Sequence, residues 1–451
     1  MSIHKYKFKD QYILLDVNSS VVFLIDELIY DLLNYYPEKS QGEVVSILKS
    51  KYSQKIILEG LAEIDELICN GVLFTKDDLN PNETIKDGTI KAMCLHVAHD
   101  CNMSCMYCFA SGGDFNTNHK ELMPFETAKA AVDFLVENSK NRRNLEIDFF
   151  GGEPLLNFDV VKQTVEYAES LEEKFQKQFR FTITTNALAL TDEIMDFVNK
   201  HMKNIVLSLD GRKEVHNNAR QTKNHKESYD IVKTNIVNAV NQRSEKDYFV
   251  RGTFTSENLD FSEDVKHIAD LGCKNVSVEP VVTDDSMPYA IKNNHLEKIY
   301  EEYEKITELY LSRKNTSKEF NFFHFNIDLE HSTCQKKKVS GCGAGCNYVA
   351  VTPNGEIYPC HQFAGEELFL MGNVFDGNVS EQIKTVFEST SLLTNPDCVK
   401  CWAKFFCGGG CHANAYHYTG SLNGTYEIGC ALQKKRIECA LYIKCVQKAG
   451  L

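Results

Sequence analysis

The chain has 451 residues, 43% of them hydrophobic, and a net charge of −14. This length predicts about two to four domains, and the acidic charge excludes a general nucleic-acid binder, whose surface would be basic. The sequence has no run of about eighteen apolar residues and no signal-peptide core at its N-terminus, so we expect a cytoplasmic protein without membrane or nucleic-acid partners.

The seventeen cysteines are concentrated in two regions of the chain. One group lies within 94–108, and twelve cysteines lie between 273 and 445. The cytoplasm keeps thiols reduced, so disulfides are not expected to account for them. Clustered cysteines in such a chain indicate metal sites.

Residues 1–80 are predicted to form a separate winged-helix-like module. Its elements would be strands at 6–8 and 12–17, a first helix that begins within 21–25, two further helices over 42–51 and 56–70, and a closing strand at 71–74. This order resembles the peptide-recognition module of enzymes that modify ribosomally made peptides, which implies that a leader peptide adds to the sheet edge as a further strand. A DNA-binding winged helix and an N-terminal cap are the alternatives. The polar stretch 76–88 is predicted to be a linker.

Residues 90–290 are predicted to alternate between strands and helices, which indicates the α/β class. The strands are predicted at 93–97, 145–150, 179–184, 204–209, 248–254 and 275–279, and the helices at 124–139, 158–175, 192–201, 229–241 and 262–271. This alternation predicts a parallel sheet with right-handed crossovers. In parallel barrels the site collects on the loops at the carboxyl ends of the strands.

A loop after the first of these strands carries Cys101, Cys105 and Cys108. A tetrahedral zinc would need a fourth nitrogen or sulfur ligand, whereas a cubane iron–sulfur cluster can take three thiolates and leave one iron open. The spacing, with Tyr107 before the last cysteine, resembles the cluster motif of radical S-adenosylmethionine (SAM) enzymes. That resemblance implies a partial (β/α)6 barrel over 90–290 with a [4Fe–4S] cluster and SAM as cofactors. A zinc knuckle or three unrelated thiols is the alternative.

Glycine and short polar residues follow the next three strands. After the second strand the sequence reads Gly151, Gly152, Glu153, Pro154, and a backbone without side chains lets a ligand approach closely. This stretch resembles the radical SAM element that contacts the amine of the cofactor. The residues whose side chains can hold its ribose hydroxyls are Thr184, Asn186, Ser208 and Asp210.

Further residues of the barrel are assigned by position. Arg220 resembles the arginine that pairs with the cofactor carboxylate, a role suited to its bidentate fork, and a surface ion pair is the alternative. Tyr107 completes the predicted cofactor-binding set, and His216 is predicted to be structural. Arg251 and Glu279, on strands five and six, could face the same cavity.

Residues 291–335 are predicted to be a helical bridge to a C-terminal domain at 336–451. Eight cysteines of this domain have spacings typical of metal ligands: Cys342, Cys346, Cys360, Cys398, Cys401, Cys407, Cys411 and Cys430. Apolar alternation on both sides of Asn354 and Gly355 predicts a β-hairpin with these two as its turn. The hairpin would return Cys360 to Cys342 and Cys346. Two zinc sites would also suit these spacings alone.

The same cysteine pattern resembles the SPASM domain of peptide-modifying radical SAM enzymes, which holds two auxiliary [4Fe–4S] clusters. By that resemblance the first auxiliary cluster takes Cys360, Cys411 and Cys342, and Cys346 is a further candidate. If only one of the last two binds, one iron stays open to a substrate thiolate. The ligands of the second auxiliary cluster would be Cys398, Cys401, Cys407 and Cys430.

The resemblance spans about 90–445 and implies a function. The expected chemistry is cleavage of SAM to a 5′-deoxyadenosyl radical that takes hydrogen from a peptide carbon, with electrons from a reduced flavodoxin- or ferredoxin-type donor. The stretch 342–363 is most similar to the maturases of SCIFF peptides, which are of the sactisynthase type. We therefore expect a cysteine thioether crosslink in a ribosomally made, cysteine-rich precursor peptide.

Three other functions remain open from the sequence. A sulfatase-maturing enzyme would oxidise a Cys or Ser to formylglycine, using an internal carboxylate as base. Another SPASM peptide dehydrogenase or epimerase would use the same cofactors, and an iron–sulfur electron carrier would bind no SAM at all. The sequence assigns no catalytic base.

Overall fold

The computed structural model describes residues 2–77, 88–117, 119–327, 329, 339 and 341–450. The predicted linker at 76–88 and the predicted boundary between 335 and 336 lie largely outside these residues. None of the helices in the described ranges is long and apolar enough to cross a membrane.

The N-terminal module is a three-stranded antiparallel sheet followed by three helices. Its elements are β1 (Ile3–Phe8), β2 (Gln11–Asp16), β3 (Val22–Ile25), α1 (Glu27–Leu32), α2 (Gln41–Leu48) and α3 (Gln54–Cys69), with the strands in the order β1-β2-β3. Leu14 of β2 packs with Leu32 and Leu61 of the helices in a core of its own. The winged-helix assignment of this module stays a prediction.

Two predictions for this module are wrong. Residues 21–25 do not begin a helix, because β3 pairs with β2 from Val22 to Ile25. The helix begins only after Asp26, whose side chain accepts a hydrogen bond from the Ile29 amide as an N-cap. The segment 71–74 is not a strand but a turn region with Gly71 at a φ of 67°.

The centre of the molecule is a sheet built on six parallel strands in the order β12-β11-β9-β8-β7-β4. The strands of this region are β4 (Ala92–His99), β5 (Met103–Cys105), β6 (Glu121–Leu122), β7 (Asn144–Gly151), β8 (Gln178–Thr185), β9 (Asn204–Ser208), β10 (Arg220–Thr222), β11 (Phe249–Phe254) and β12 (Asn275–Pro280). The six predicted strands are confirmed, and their parallel pairing follows the predicted crossovers.

Helices connect these strands and bury their apolar sides against the sheet. They are α4 (Phe125–Asn138), α5 (Phe158–Phe175), α6 (Asp192–His201), α7 (Lys213–Ala219), α8 (Tyr229–Arg243) and α9 (Phe261–Asp270). Val132, Val165 and Val198, one from each of the first three, are fully buried in the main core. The five predicted helices are confirmed, and α7 is an additional short helix.

The C-terminal part continues the central sheet instead of folding apart from it. Its elements are α10 (Leu296–Arg313), β13 (Asn321–Phe322), β14 (Tyr348–Val351), β15 (Glu356–Tyr358), β16 (Gly372–Asn373), α11 (Glu381–Ser389), α12 (Pro396–Lys400), α13 (Lys404–Cys407), α14 (His412–Thr419) and α15 (Glu427–Ala449). β14 runs parallel to β4, from Tyr348 opposite Ala92 to Val351 opposite Leu95. The cysteine-rich region is therefore attached to the strand that precedes the first cysteine loop.

The predicted hairpin is confirmed as β14 and β15, but its turn lies one residue earlier. The Gly355 amide donates to the Thr352 carbonyl at 2.9 Å, so Pro353 and Asn354 are the central residues. Proline presets the first central position of such a turn. Gly355 follows at a φ of 87°, as in three-residue hairpin loops.

The N-terminal sheet packs on the last helix of the chain. Phe8 stacks on Tyr442 with ring centroids 4.2 Å apart, and the Tyr6 hydroxyl donates to the Glu438 carbonyl. The His4 ring lies parallel to the Trp402 indole, with centroids 3.7 Å apart. These contacts place the module beside the C-terminal cysteines.

Candidate functional site

The first cysteine loop is fixed by a short antiparallel ladder. β5 pairs with β10, and this register sets Arg220 opposite Cys105. The Arg220 Nη1 atom lies 3.6 Å from the Cys105 Sγ atom. A residue more than 100 positions further along the chain is thus held beside the loop by backbone pairing.

Each sulfur of this loop accepts hydrogen bonds from N–H groups. Cys101 Sγ accepts from the Met103 amide at 3.4 Å and from Asn186 Nδ2 at 3.6 Å. Cys108 Sγ accepts from the Gly112 amide at 3.4 Å. Donors aimed at all three sulfurs suit anionic, metal-bound thiolates.

Burial opposes ionisation of these thiols in the protein alone. It raises the pKa of Cys101 to about 12 and that of Cys105 to about 11, and the neighbouring carboxylates Glu153 and Asp210 act in the same direction. Binding of a cation would reverse this balance, so metal loading is expected to release protons. Among the described residues, no three His, Cys, Asp or Glu side chains are arranged around a single metal ion.

The turn after β7 requires glycine. Gly151 has a φ of 125°, and a Cβ atom on it would lie 2.3 Å from the Ala98 carbonyl oxygen. A Cβ on Gly152 would lie 2.1 Å from the Asp100 carbonyl oxygen. The two glycines therefore let the ends of β4 and β7 touch directly below the cysteine loop.

Glu153 is almost completely buried and its carboxylate is already engaged. It accepts from the Leu155 amide at 3.0 Å, from Thr185 Oγ1 at 2.7 Å and from the Asn186 amide at 2.8 Å. Burial raises its pKa against these donors. Glu153 still lines the cavity, so it both braces the loop after β8 and presents an oxygen to a ligand. Pro154 starts a short 3-10 helix and does not line the cavity.

Asp210 organises the predicted cofactor residues without lining the cavity itself. Its carboxylate accepts from the Tyr107 hydroxyl, from Arg220 Nε at 3.1 Å and from the Thr253 amide at 3.0 Å. Its side chain is fully buried and that of Arg220 is 12% exposed. The surface ion pair considered for Arg220 is thus wrong, and Asp210 acts through its neighbours.

His216 is confirmed as structural. Its Nδ1 atom accepts from the Asp210 amide, and its Nε2 atom lies 3.0 Å from Ser228 Oγ. Ser228 in turn donates to the Arg220 carbonyl at 2.6 Å. Burial lowers the pKa of His216 to about 4, so the ring is neutral at neutral pH.

The C-terminal cysteines fall into two sets. In the first, burial raises the pKa of Cys360 to about 12, and the charges of Cys411 and Cys342 add to the effect. Cys346 is completely buried in an apolar cluster that also contains Cys94 and Cys360. Cys342, Cys360 and Cys411 are therefore close enough for their charges to interact. Cys346 lies in the adjoining apolar core.

The second set comes from α12, α13 and α15. Burial raises the pKa of Cys398 to about 12, and the charges of Cys407, Cys430 and Cys401 add to it. The structure thus brings together the four residues assigned to one auxiliary cluster, although 29 positions separate Cys401 from Cys430.

One cavity of about 700 Å³ joins these groups. Predicted site residues that line it are Cys101, Cys105, Tyr107, Cys108, Gly151, Gly152, Glu153, Thr184, Asn186, Ser208, Arg220, Arg251, Glu279, Cys398, Cys407, Cys411 and Cys430. The sequence analysis missed Phe109, Phe150, His361, Gln362 and Arg436, which also line it. His361 and Phe150 directly adjoin predicted motifs, whereas nothing in the sequence sets Arg436 of α15 apart.

Comparison with known proteins gives one family and a consistent set of relatives. Residues 95–242 match the Radical SAM superfamily. The chain is 24% identical over 432 residues to the radical SAM cyclopropyl synthase TigE of Paramaledivibacter caminithermalis, covering 90% of this chain and 84% of the relative. It is also 24% identical over 339 residues to a cysteine-type anaerobic sulfatase-maturating enzyme of Clostridium novyi, covering 70% and 86%.

The fold is also that of solved radical SAM structures. Streptococcus suis SuiB bound to its precursor peptide SuiA matches with a TM-score of 0.54 and 16% identity, over 95% of this chain and 98% of SuiB. The mixed α/β fold is therefore shared with SuiB along almost the whole chain.

Proposed function

We propose that this chain, which carries a radical SAM domain over residues 95–242, crosslinks a cysteine of a ribosomally made precursor peptide to a carbon of the same peptide through a thioether. The observation that carries the proposal is the single cavity that adjoins both the first cysteine loop and the C-terminal cysteines. A peptide in that cavity would meet the radical source on one side and a thiolate-binding centre on the other.

The residues fit three [4Fe–4S] clusters and SAM. The first cluster would be held by Cys101, Cys105 and Cys108, and the SAM amine, ribose and carboxylate would meet Glu153, Ser208 and Arg220. When bound, the first cluster and SAM supply the 5′-deoxyadenosyl radical, and the auxiliary clusters supply an acceptor for the electron released on closing the sulfur–carbon bond. Formation of the thioether removes a hydrogen atom from carbon and a proton and an electron from the thiol.

The chain's own residues aim this chemistry. Asp210 holds Tyr107 and Arg220 in place. The Gly151–Gly152 turn lets the end of β7 contact the end of β4, where the cysteine loop begins. Phe150 and His361, with ring centroids 5.2 Å apart, form an apolar wall that would exclude water from the peptide radical.

The thiolate side of the proposal concerns Cys342, Cys360 and Cys411. Three thiolates on the first auxiliary cluster would leave one iron for the sulfur of the peptide, a soft ligand suited to it. The N-terminal module would bind the leader of the precursor at its sheet edge, and reducing equivalents would come from a flavodoxin- or ferredoxin-type protein. The solved SuiB complex contains a precursor peptide, which supports a substrate of this class.

The test is the product of one anaerobic reaction. The reconstituted protein is incubated with SAM, dithionite and a candidate cysteine-rich precursor peptide, and the peptide is examined by tandem mass spectrometry before and after iodoacetamide. The proposal predicts a peptide lighter by two hydrogens with one cysteine no longer alkylated, together with 5′-deoxyadenosine. An unmodified peptide with uncoupled 5′-deoxyadenosine would contradict it.

A second function, formylglycine formation, is favoured by one observation. Glu279 at the end of β12 lines the cavity and, against the effect of burial, His324 and Arg436 hold its pKa well below its usual range. An ionised carboxylate there could act as the internal base. Formylglycine formation would remove sulfur from the cysteine, so the same mass spectrum distinguishes it from thioether formation. A carbon–carbon crosslink would leave every cysteine alkylated.

A further inference from the structure

The cavity wall made by β11 and β12 carries charged side chains that the proposed reaction does not use. Arg251 of β11, Glu279 of β12 and Arg436 of α15 all line the cavity. His324, which follows β13, lies behind them, with its Nε2 atom 3.1 Å from Glu279 Oε1.

Glu279 and Arg436 form an ion pair with each other, in which Arg436 Nη2 makes no hydrogen bond to any described residue. Arg436 Nη2 lies 3.5 Å from Glu279 Oε2, and its Nε atom donates to the Tyr303 hydroxyl at 2.7 Å. The Arg436 side chain is only 8% exposed. These contacts account for the single negative charge of Glu279.

Arg251 carries the positive charge on this wall that Glu279 does not balance. Its side chain is 50% exposed, and its Nη2 atom lies 3.8 Å from Glu279 Oε1, farther than His324, Arg436 or Ser277 lie from that carboxylate. Burial and the charge of Arg436 lower the pKa of His324, and an imidazole adds no negative charge to this wall in either protonation state. Two guanidinium groups therefore face one carboxylate, which leaves one net positive charge on this wall.

The other two charged side chains named in the cavity, Arg220 and Glu153, are each held by partners away from this wall. Arg220 is paired with Asp210, and Glu153 accepts three hydrogen bonds from the protein. Arg251 shares this cavity with the ring of His361. An arginine beside aromatic rings in a partly dry cavity favours a planar anion.

We propose that Arg251 binds a carboxylate of the peptide substrate and so sets which residues are accepted beside the modified cysteine. This inference rests on the proposed function, since it places a peptide in the cavity. The carboxylate could belong to an Asp or Glu side chain or to the C-terminus of the peptide, and the two sources share this chemistry.

Anaerobic calorimetry on the reconstituted, SAM-loaded full-length protein tests the inference. The probes are acetyl-Ala-Cys-Ala-Asp-Ala-amide, analogues with the Asp moved to each position within three residues of the cysteine, the Asn counterparts, and the Asn pentapeptide with a free C-terminus. At the best position the Asp peptide or the free acid should bind at least about tenfold tighter than its neutral partner. This preference should vanish in Arg251→Gln and persist in part in Arg251→Lys.

Arg180→Gln is the matched control, because it removes an arginine of the same sheet, on strand β8, that does not line the cavity, and it should keep the preference. Equal binding of acidic and neutral peptides by the wild-type protein would overturn the inference, as would a preference that survives in Arg251→Gln. A loss of SAM affinity in Arg251→Gln, measured without peptide, would assign the arginine to the cofactor and also overturn it. Absence of SAM cleavage would instead refute the proposed function, so the two failures are distinguishable.

Discussion

At the residue scale, the site depends on one buried carboxylate more than on any group that faces the cavity. Asp210 joins Tyr107 from the cysteine loop, Arg220 from β10 and the Thr253 amide from β11. Three segments that are distant in the chain thus share one acceptor. A buried acceptor with charged and neutral donors fixes their positions before any ligand arrives.

Removal of this carboxylate should cost stability and cofactor binding together. Asp210→Ala leaves the buried Arg220 guanidinium unpaired, so we expect the free energy of unfolding to fall by roughly 3 kcal/mol in urea denaturation. SAM affinity of the reconstituted variant should fall as Arg220 loses its orientation. Asp230→Ala is the control, since its partner Lys213 is on the surface, and it should change neither quantity measurably. Equal effects of the two substitutions would contradict the role given to Asp210.

His216 predicts a specific dependence of stability on pH. Its pKa is about 4 in the folded protein because of burial, against about 6.5 in an unfolded chain. As pH falls from about 6.5 towards 4, the unfolded state takes up a proton that the folded state does not, so stability is lost in that window. Between pH 7 and pH 5 this histidine alone should account for about 2 kcal/mol of the loss.

The measurement is a pair of urea denaturation series at pH 7 and pH 5. His216→Asn keeps a hydrogen-bonding side chain without the titration, so its loss of stability over this range should be about 2 kcal/mol smaller than that of the wild-type protein. An identical loss in both proteins would show that His216 is not held neutral by the fold.

At the element scale, the contact between the ends of β4 and β7 can be tested by a substitution that adds a single carbon atom. Gly152→Ala would put a Cβ atom 2.1 Å from the Asp100 carbonyl oxygen. The backbone must then move, which we expect to cost about 1–3 kcal/mol in unfolding free energy and to weaken SAM binding, measured calorimetrically. Gly42→Ala in α2 meets nothing within 4 Å and should be neutral or stabilising by less than about 1 kcal/mol. Normal SAM affinity in Gly152→Ala would contradict the account of this turn.

Elements with strong periodicity could be predicted from the sequence, and those set by distant partners could not. The helix Phe158–Phe175 was predicted with the same bounds as in the structure, because its apolar spacing and its flanks agree. Residues 22–25 are apolar in any conformation, and only their pairing with β2 makes them a strand. The parallel pairing of β14 with β4 joins segments about 250 residues apart, which no local pattern reports.

The same distinction applies to the candidate site. Cysteine spacing and glycine pairs are local signals, and they led to many of the residues that line the cavity, although Cys342, Cys346, Cys360 and Cys401 do not line it. Asp210 was expected to face a ligand but instead faces Arg220 and Tyr107, since a strand-end carboxylate looks the same in sequence whichever way it points. Arg436 lies 156 residues beyond the end of β12, so only the tertiary fold could reveal its place in the site.

At the scale of the whole molecule, the cysteine-rich region contacts the α/β region at two places. β14 extends the sheet at β4, and α15 packs along α10 with Arg436 bonded to Tyr303. The N-terminal sheet rests on α15 in turn. In the proposed function, the regions for peptide recognition, electron transfer and radical generation would thus contact one another around a common cavity.

The most direct test of this account is the metal content of the protein after anaerobic reconstitution with iron and sulfide. Three cubane clusters predict about twelve iron and twelve sulfide per chain and no stoichiometric zinc, and Cys101→Ala/Cys105→Ala/Cys108→Ala should lose about four iron together with the response of the electron paramagnetic resonance spectrum to SAM. A protein that holds zinc in place of iron at the C-terminal cysteines, or a triple variant that keeps its full iron content and its response to SAM, would contradict it.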